Sequence, residues 1–287
     1  MPFTKEPHGF YTDTTVCIGC KACQVACHQW NGLDAWQEQA APTPGASPSD
    51  PSRVSLPVLP KLSGNSYDNT GSLSAVNWRH VKFIEQFSED RSQAAWLMMS
   101  DVCKHCVNAP CLEVCPTGAI LRTEFDSVYI NEPACNGCRD CVSACPFGVI
   151  HMSEKTHLAQ KCTFCYDRLK VGLPPACAQA CPTQSIRFGP IRDLKTMAAA
   201  RVEQLKGEGR SKARLYGHDD KILGGLNSFY LLEDEPEVYG LPSRPRIPSR
   251  IVPRSSLLSI LSGILAGLGL LFSFRNRTQR QPAEVKR

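Results

Sequence analysis

The chain has 287 residues, 42% of them hydrophobic and 21% charged, which suits one or two folded domains. The formal charge is +5, but lysine and arginine form no run interleaved with aromatics, and this excludes the usual nucleic-acid surface. Met1 to Asp13 is polar with no apolar core, so no secretory signal is expected, and the length far exceeds that of a disulfide-stapled domain.

After Tyr11 and Thr12 the chain enters a first cysteine group, Cys17, Cys20, Cys23 and Cys27, followed by His28 to Leu33. From Ala41 to Leu73 it turns rich in Pro, Ser, Gly and Asn, and reads as a surface insertion or a mobile loop. Asn77 to Phe87 alternates, with Trp78, His80 and Lys82 on one face and Val81 and Phe83 on the other, predicting a strand. Trp96 to Met99 leads into a second group, Cys103, Cys106, Cys111 and Cys115.

Ala119 to Leu121 and Val128 to Ile130 flank polar residues and predict a hairpin. A third group follows, Cys135, Cys138, Cys141 and Cys145, and Pro146 to Ile150 repeats the pattern. The fourth group is Cys162, Cys165, Cys177 and Cys181.

These groups use all sixteen cysteines, each with iron-sulfur spacing, and predict four 4Fe-4S clusters and one-electron chemistry. A tight loop presents three thiolates to one cubane. Cys27 and Cys145, three residues beyond their triplets, are expected to point at a neighbouring cluster. Three groups end in Cys-Pro (Cys115, Cys145 and Cys181), whereas Cys27 precedes His28. Structural zinc usually joins two separated pairs rather than a run of three plus one. Oxidised clusters, each carrying roughly two negative charges, would take the net charge to about -3.

Two cluster loops flanking the hairpin make a ferredoxin-like unit of roughly 50 residues. The first and fourth groups are left to form a second unit around it. Spacing alone does not prove that nesting.

Asp193 to Lys206 places Leu194, Met197, Ala198, Val202 and Leu205 on one face, predicting an amphipathic helix stopped by Gly207 and Gly209 and packed on the cluster core. Asn227 to Leu232 reads as a strand, and Pro236 to Pro253 as an extended linker. Ser255 to Phe274 holds about 20 residues without a charge, enough for a helix of ~30 Å spanning a bilayer. Arg250 and Arg254 precede it; Arg275 and Arg277 follow. Ser255, Ser259, Gly263 and Gly267 share a face suited to close packing on another membrane helix. The short tail Arg275 to Arg287 reads as a cytoplasmic end, which puts the clusters outside, in a protein folded in the cytoplasm and exported with a partner.

The run from Cys17 to Cys27 (Cys-Ile-Gly-Cys-Lys-Ala-Cys-Gln-Val-Ala-Cys), the Cys103 and Cys162 pairs, the stretch Gly224 to Pro242 and the single span together resemble the iron-sulfur beta subunit of membrane-bound formate dehydrogenases. The resemblance covers nearly the whole chain. The wider group also serves nitrate, dimethyl sulfoxide, polysulfide and thiosulfate reductases and some hydrogenases. Nitrate-reductase-like members are expected to replace one cysteine with tryptophan; here all sixteen are present.

The resemblance implies an α+β fold of two interleaved ferredoxin-like 2x4Fe-4S units with an insertion and a C-terminal transmembrane helix. It implies that Cys17, Cys20, Cys23 and Cys181 hold one cluster, and Cys162, Cys165, Cys177 and Cys27 a second. Cys103, Cys106, Cys111 and Cys145 would hold a third, and Cys135, Cys138, Cys141 and Cys115 a fourth. The domain plan is then an outer unit from residues 1–40 and 153–190, the insertion and strand at 41–95 and an inner unit at 96–152. A helix, strand and linker at 191–254, the span at 255–274 and a basic tail at 275–287 complete it. The implied partners are a molybdenum or tungsten pterin subunit that oxidises formate, a membrane cytochrome b that reduces quinone, and the lipid bilayer.

Lys21, Lys104, His105 and Arg139 lie inside the loops, where each either raises a cluster potential by its charge or is a solvated or packing side chain. His28 and His151 read as packing residues, and Trp30, Trp36 and Trp96 as core or subunit contacts. A redox sensor would need an output domain. A catalytic oxidoreductase would need a cofactor motif, and there is no Gly-x-Gly-x-x-Gly or phosphate loop.

Overall fold

The computed structural model describes residues 6–33, 67–68, 70–250 and 252–279. Most of the expected insertion between Ala41 and Leu73, Trp36 and most of the basic tail lie outside these residues. The chain divides into two compact units, Met1–Arg246 and Ile247–Arg287.

The first unit is organised by a four-stranded sheet in the order Ile186–Pro190, His8–Asp13, Ser228–Leu232, Arg214–Tyr216. His8–Asp13 runs parallel to Ser228–Leu232, from Phe10 opposite Ser228 to Asp13 opposite Leu231. It runs antiparallel to Ile186–Pro190, from His8 opposite Pro190 to Thr12 opposite Ile186. A parallel pair needs cover on both faces, and every residue of Ser228–Leu232 is buried.

Strand alternation divides the two faces. Phe10 joins Cys23, Val81, Phe164, Cys177 and Ile186 in a buried cluster, whereas Tyr11 stacks on Phe229 at 5.4 Å on the opposite face. The predicted amphipathic helix spans Ile191–Gly207 and buries Leu194, Ala198, Val202 and Leu205. It packs on the strands His8–Asp13, Ile186–Pro190 and Arg214–Tyr216 of the four-stranded sheet. The reason is local: the helix begins at the residue after Pro190, so it folds straight back onto the strand that precedes it.

Among the described residues, three smaller antiparallel hairpins accompany this sheet. The strand predicted at Asn77 to Phe87 is observed at Arg79–Phe87, and it pairs along its full length with Ala94–Val102. Trp96 therefore belongs to a strand and is not merely a lead-in. The predicted hairpin is present as Ile120–Arg122 with Val128–Ile130, and a shorter copy, His151–Met152 with Ala159–Gln160, follows the third cysteine group.

The stretch expected as a linker is docked over its first part. Tyr239 and Leu241 are buried, Lys82 Nζ donates to the Tyr239 carbonyl at 3.1 Å, and Tyr216 Oη donates to the Pro242 carbonyl at 2.6 Å. Prolines restrict this backbone without keeping it in solvent.

The second unit contains the helix Val252–Gln279. Its segment Ser256–Arg275 has a mean hydropathy of 2.2 and none of it is buried in protein. By length and composition the helix can cross a bilayer as a single-pass anchor.

Candidate metal centres

In each cysteine loop a left-handed residue stands just before the second cysteine of the Cys-x-x-Cys pair, Gly19 (φ +64°), His105 (+44°), Gly137 (+72°) and Phe164 (+66°), and in three of them Lys21, Arg139 and Cys165 add a second. This backbone turn brings successive thiols round to one side. At Gly19 a β-carbon would also meet the Phe83 ring at 2.6 Å, so glycine is required there for space as well as conformation. His105 and Phe164 adopt the same conformation at some steric cost. They are held by each other, with ring centroids 4.3 Å apart, and by Val128 N–H donating to His105 Nδ1 at 3.1 Å.

The fourth cysteine of three groups sits in a common turn. The N–H groups of Gly118, Gly148 and Gln184 donate to the carbonyls of Cys115, Cys145 and Cys181 at 3.3, 3.2 and 3.2 Å. Proline after each cysteine fits because the preceding helices Pro110–Glu113, Asp140–Ala144 and Ala176–Gln179 have already ended. Cys27, which His28 follows in place of a proline, differs. It lies inside the helix Ala22–Trp30, and Asn31 N–H donates to its carbonyl at 3.2 Å.

All sixteen cysteines are free of disulfides. Cys17, Cys20, Cys23 and Cys181 line one cavity. Cys115, Cys135, Cys138 and Cys141 line another, and Cys103, Cys106, Cys111 and Cys145 a third. Cys27 is buried beside Cys177, Cys162 and Cys165, whose charges oppose its ionisation after burial itself. Three cavities, each lined by a triplet and a distant fourth thiol, fit one repeated guest. Among the described residues no three His, Cys, Asp or Glu side chains converge tightly enough for a single metal ion. Zinc would draw four sulfurs to ~2.3 Å from one point. A cubane instead takes one thiolate at each of its four irons.

Electrostatics supports the same fit. Burial pushes the thiols of Cys23, Cys141 and Cys165 up to about 11, and those of Cys111 and Cys162 up to about 12. Thiols this hard to ionise become thiolates by exchanging their protons for iron. Around them lie four buried cations, Arg79, Lys104, Lys161 and Arg168. Lys161 Nζ donates to the carbonyls of Val128 and Cys162, and Lys104 Nζ donates to Asp101 and to the Val102 carbonyl. Arg79 is 1% exposed, yet its Nε and Nη2 find no partner among the described residues. An unsatisfied cation among thiols is what an anionic cluster would neutralise.

The expected loop residues divide. Lys104 is buried, not solvated. His105 is also buried, and burial, followed by the charges of Lys161, Arg122, Arg79 and Lys104, holds its pKa well below the ordinary value. It is therefore neutral, with Nδ1 accepting, and supplies no positive charge. Lys21 pairs with Asp68 at 3.0 Å, while Arg139 is exposed. His28 and His151 each bury an Nε2 with no partner among the described residues. Trp30 and Trp96 are not core residues, being 45% and 51% exposed; Trp30 Nε1 donates to Asp167 at 2.8 Å, and Trp96 packs on Tyr67 and Phe83.

Sequence reading passed over Arg79 and Lys161. A signal for the first was present: Arg79 shares strand parity with Val81 and Phe83, a cation on the apolar face.

Two overlapping stretches, residues 16–119 and 94–191, each match a 4Fe-4S dicluster domain. The chain is 37% identical over 243 residues to the formate dehydrogenase-O iron-sulfur subunit of Escherichia coli, covering 83% of this chain and 72% of that one. It is 34% identical over 269 residues to the nitrate-inducible formate dehydrogenase iron-sulfur subunit of the same organism, covering 91% and 82%. A thiosulfate reductase electron transfer subunit of Salmonella typhi is 35% identical over 179 residues, covering 62% and 72%.

Proposed function

The chain belongs to the iron-sulfur subunits of formate dehydrogenases, and from that membership we propose that it carries electrons from a formate-oxidising molybdenum or tungsten pterin subunit toward a membrane cytochrome b and quinone. Its cofactors are four 4Fe-4S clusters, which supply one-electron oxidation and reduction when bound. The chain's own residues hold, space and insulate them.

The ligation we propose is nested. Cys17, Cys20 and Cys23 act with Cys181, and Cys162, Cys165 and Cys177 with Cys27. Cys103, Cys106 and Cys111 act with Cys145, and Cys135, Cys138 and Cys141 with Cys115. The observation that carries this reading is the lining of the three cavities, each by three cysteines of one group and the last of another. The direct pairing of His8–Asp13 with Ile186–Pro190 adds support, because the first strand enters the first group and the second leaves the fourth. Residues 1–40 and 153–190 are accordingly an outer ferredoxin-like unit interleaved with an inner one at 96–152. Residues 41–95 carry the insertion and strand, residues 191–254 the helix, strand and linker, and the tail occupies 275–287.

The protein keeps most of its thiols from water and leaves one exposed in each of two quartets, Cys20 and Cys138. Those quartets are the ends at which electrons enter and leave. The anchor at 255–274 lies in lipid against the cytochrome, and its basic tail on the cytoplasmic side puts the preceding residues on the extracytoplasmic face.

A second reading, service to another pterin reductase, is favoured by the similarity to the thiosulfate reductase subunit. Purification in mild detergent, mass spectrometry and a formate-driven dye assay separate the two. Co-purification of a pterin subunit with formate-dependent dye reduction is expected; a pterin subunit indifferent to formate would assign the chain to a sister reductase.

A further inference from the structure

Arg79 stands at the start of the hairpin strand Arg79–Phe87, on the face that also carries Val81 and, across the ladder, Ser100 and Val102. Val81 and Ser100 line the cavity of Cys17, Cys20, Cys23 and Cys181, so this face looks into the outer unit. The guanidinium lies over the Phe10 ring at 4.9 Å, and Nη1 donates to Ser100 Oγ at 3.0 Å. Ser100 Oγ is in turn 3.3 Å from Cys23 Sγ. A relay therefore joins the arginine to a thiol of the first group.

The other two nitrogens, Nε and Nη2, are buried and unpartnered among the described residues. Besides Tyr230, the groups whose negative charge would stabilise Arg79 against burial are Cys177, Cys23 and Cys162. Two of these belong to the fourth cysteine group and one to the first. Among the described residues no carboxylate pairs with it. A permanently charged side chain in that position faces two thiol quartets at once, and its planar fork can serve both.

Building on the nested ligation proposed above, we propose that Arg79 sets the reduction potentials of both outer clusters, donating through Nε and Nη2 toward their sulfur atoms and through Ser100 toward Cys23. Positive charge and donated hydrogen bonds stabilise the more negative, reduced state, so both outer potentials are held high together. None of the thiols among the charges that act on it belongs to the inner pair. A shared cation also matches two neighbouring potentials, which favours transfer between them in either direction.

The test is a potentiometric titration followed by low-temperature EPR on the detergent-purified complex containing the full chain. Cys17→Ser and Cys27→Ser first identify the signals of the two outer sites. In Arg79→Met that retains its iron, both outer midpoints are expected to fall by at least tenfold in the reduction equilibrium, about 59 mV for a one-electron couple, with the inner two unmoved. Arg79→Lys, which keeps the charge and loses the fork, is expected to show less than half that shift. Ser100→Ala is expected to lower the Cys17 signal alone. Unmoved outer midpoints, or equal movement of all four, would overturn the proposal. Where Arg79→Met loses iron, Ser100→Ala decides, and an unmoved Cys17 signal overturns it. If Cys181→Ser leaves the Cys17 signal intact, the nested ligation itself is wrong, whatever Arg79 does.

Discussion

Asp101 shows how much of the local electrostatics depends on one carboxylate. It pairs with Lys82 at 2.9 Å and with the buried Lys104. Burial opposes its ionisation, but the two ammonium groups prevail and hold its pKa down at about 2. Asp101→Asn would leave Lys104 buried without a counter-ion, at a cost of about 3–5 kcal/mol. The expected readout is earlier thermal loss of the visible cluster absorbance at neutral pH. Because the folded pKa lies below the ordinary carboxylate value of ~3.9, this stabilisation is complete above that value and fades as pH falls through 2. The gap between wild type and variant should therefore narrow only in strong acid. The sequence displayed every cysteine ligand candidate because loop spacing is local. It concealed the charge state of Lys104 and His105, because burial is set by Asp101, Phe164 and Tyr230, which spacing cannot place beside them.

The helices around the cysteines carry the contrast between the first group and the rest. In three groups the helix stops and Cys-Pro makes a turn; in the first, Ala22–Trp30 runs through Cys27. Giving this group the same proline, His28→Pro, would remove an interior N–H and clash with the preceding turn, at about 3 kcal/mol. Iron content is expected to drop by one cluster, with the loss in the signal that depends on Cys27; full iron retention would contradict the helical placement. Gly19→Ala should likewise remove the Cys17 signal, because the φ of +64° and the Phe83 ring both oppose a β-carbon. At this scale the short hairpin at Ile120–Ile130 and the helix Ile191–Gly207 were legible from periodicity. The partnership of Arg79–Phe87 with Ala94–Val102 was not, since the intervening Ser88 to Gln93 lacks the Asn-Gly or Asp-Gly signature of a tight hairpin. Still less visible was the pairing of His8–Asp13 with Ser228–Leu232, which closes across most of the chain.

For the whole molecule, the cysteine-bearing unit and the apolar helix are separate compact pieces joined in one chain. A chain ending at Arg250 is expected to stay in the aqueous phase of a detergent partition with its iron retained, while the full chain enters the detergent phase. Equal partitioning of the two would contradict the anchor. The span was legible because about 20 uncharged residues have few other uses. The docking of Tyr239 and Leu241 was hidden by the prolines around them. All of these features serve a single claim, that the sixteen thiols hold four cubanes. Iron and acid-labile sulfide, counted against protein in a sample also titrated by low-temperature EPR, test it most directly. The arrangement requires about sixteen irons and about sixteen sulfides per chain, with interacting signals on reduction. About one zinc per quartet, no labile sulfide and no EPR signal at any potential would contradict it.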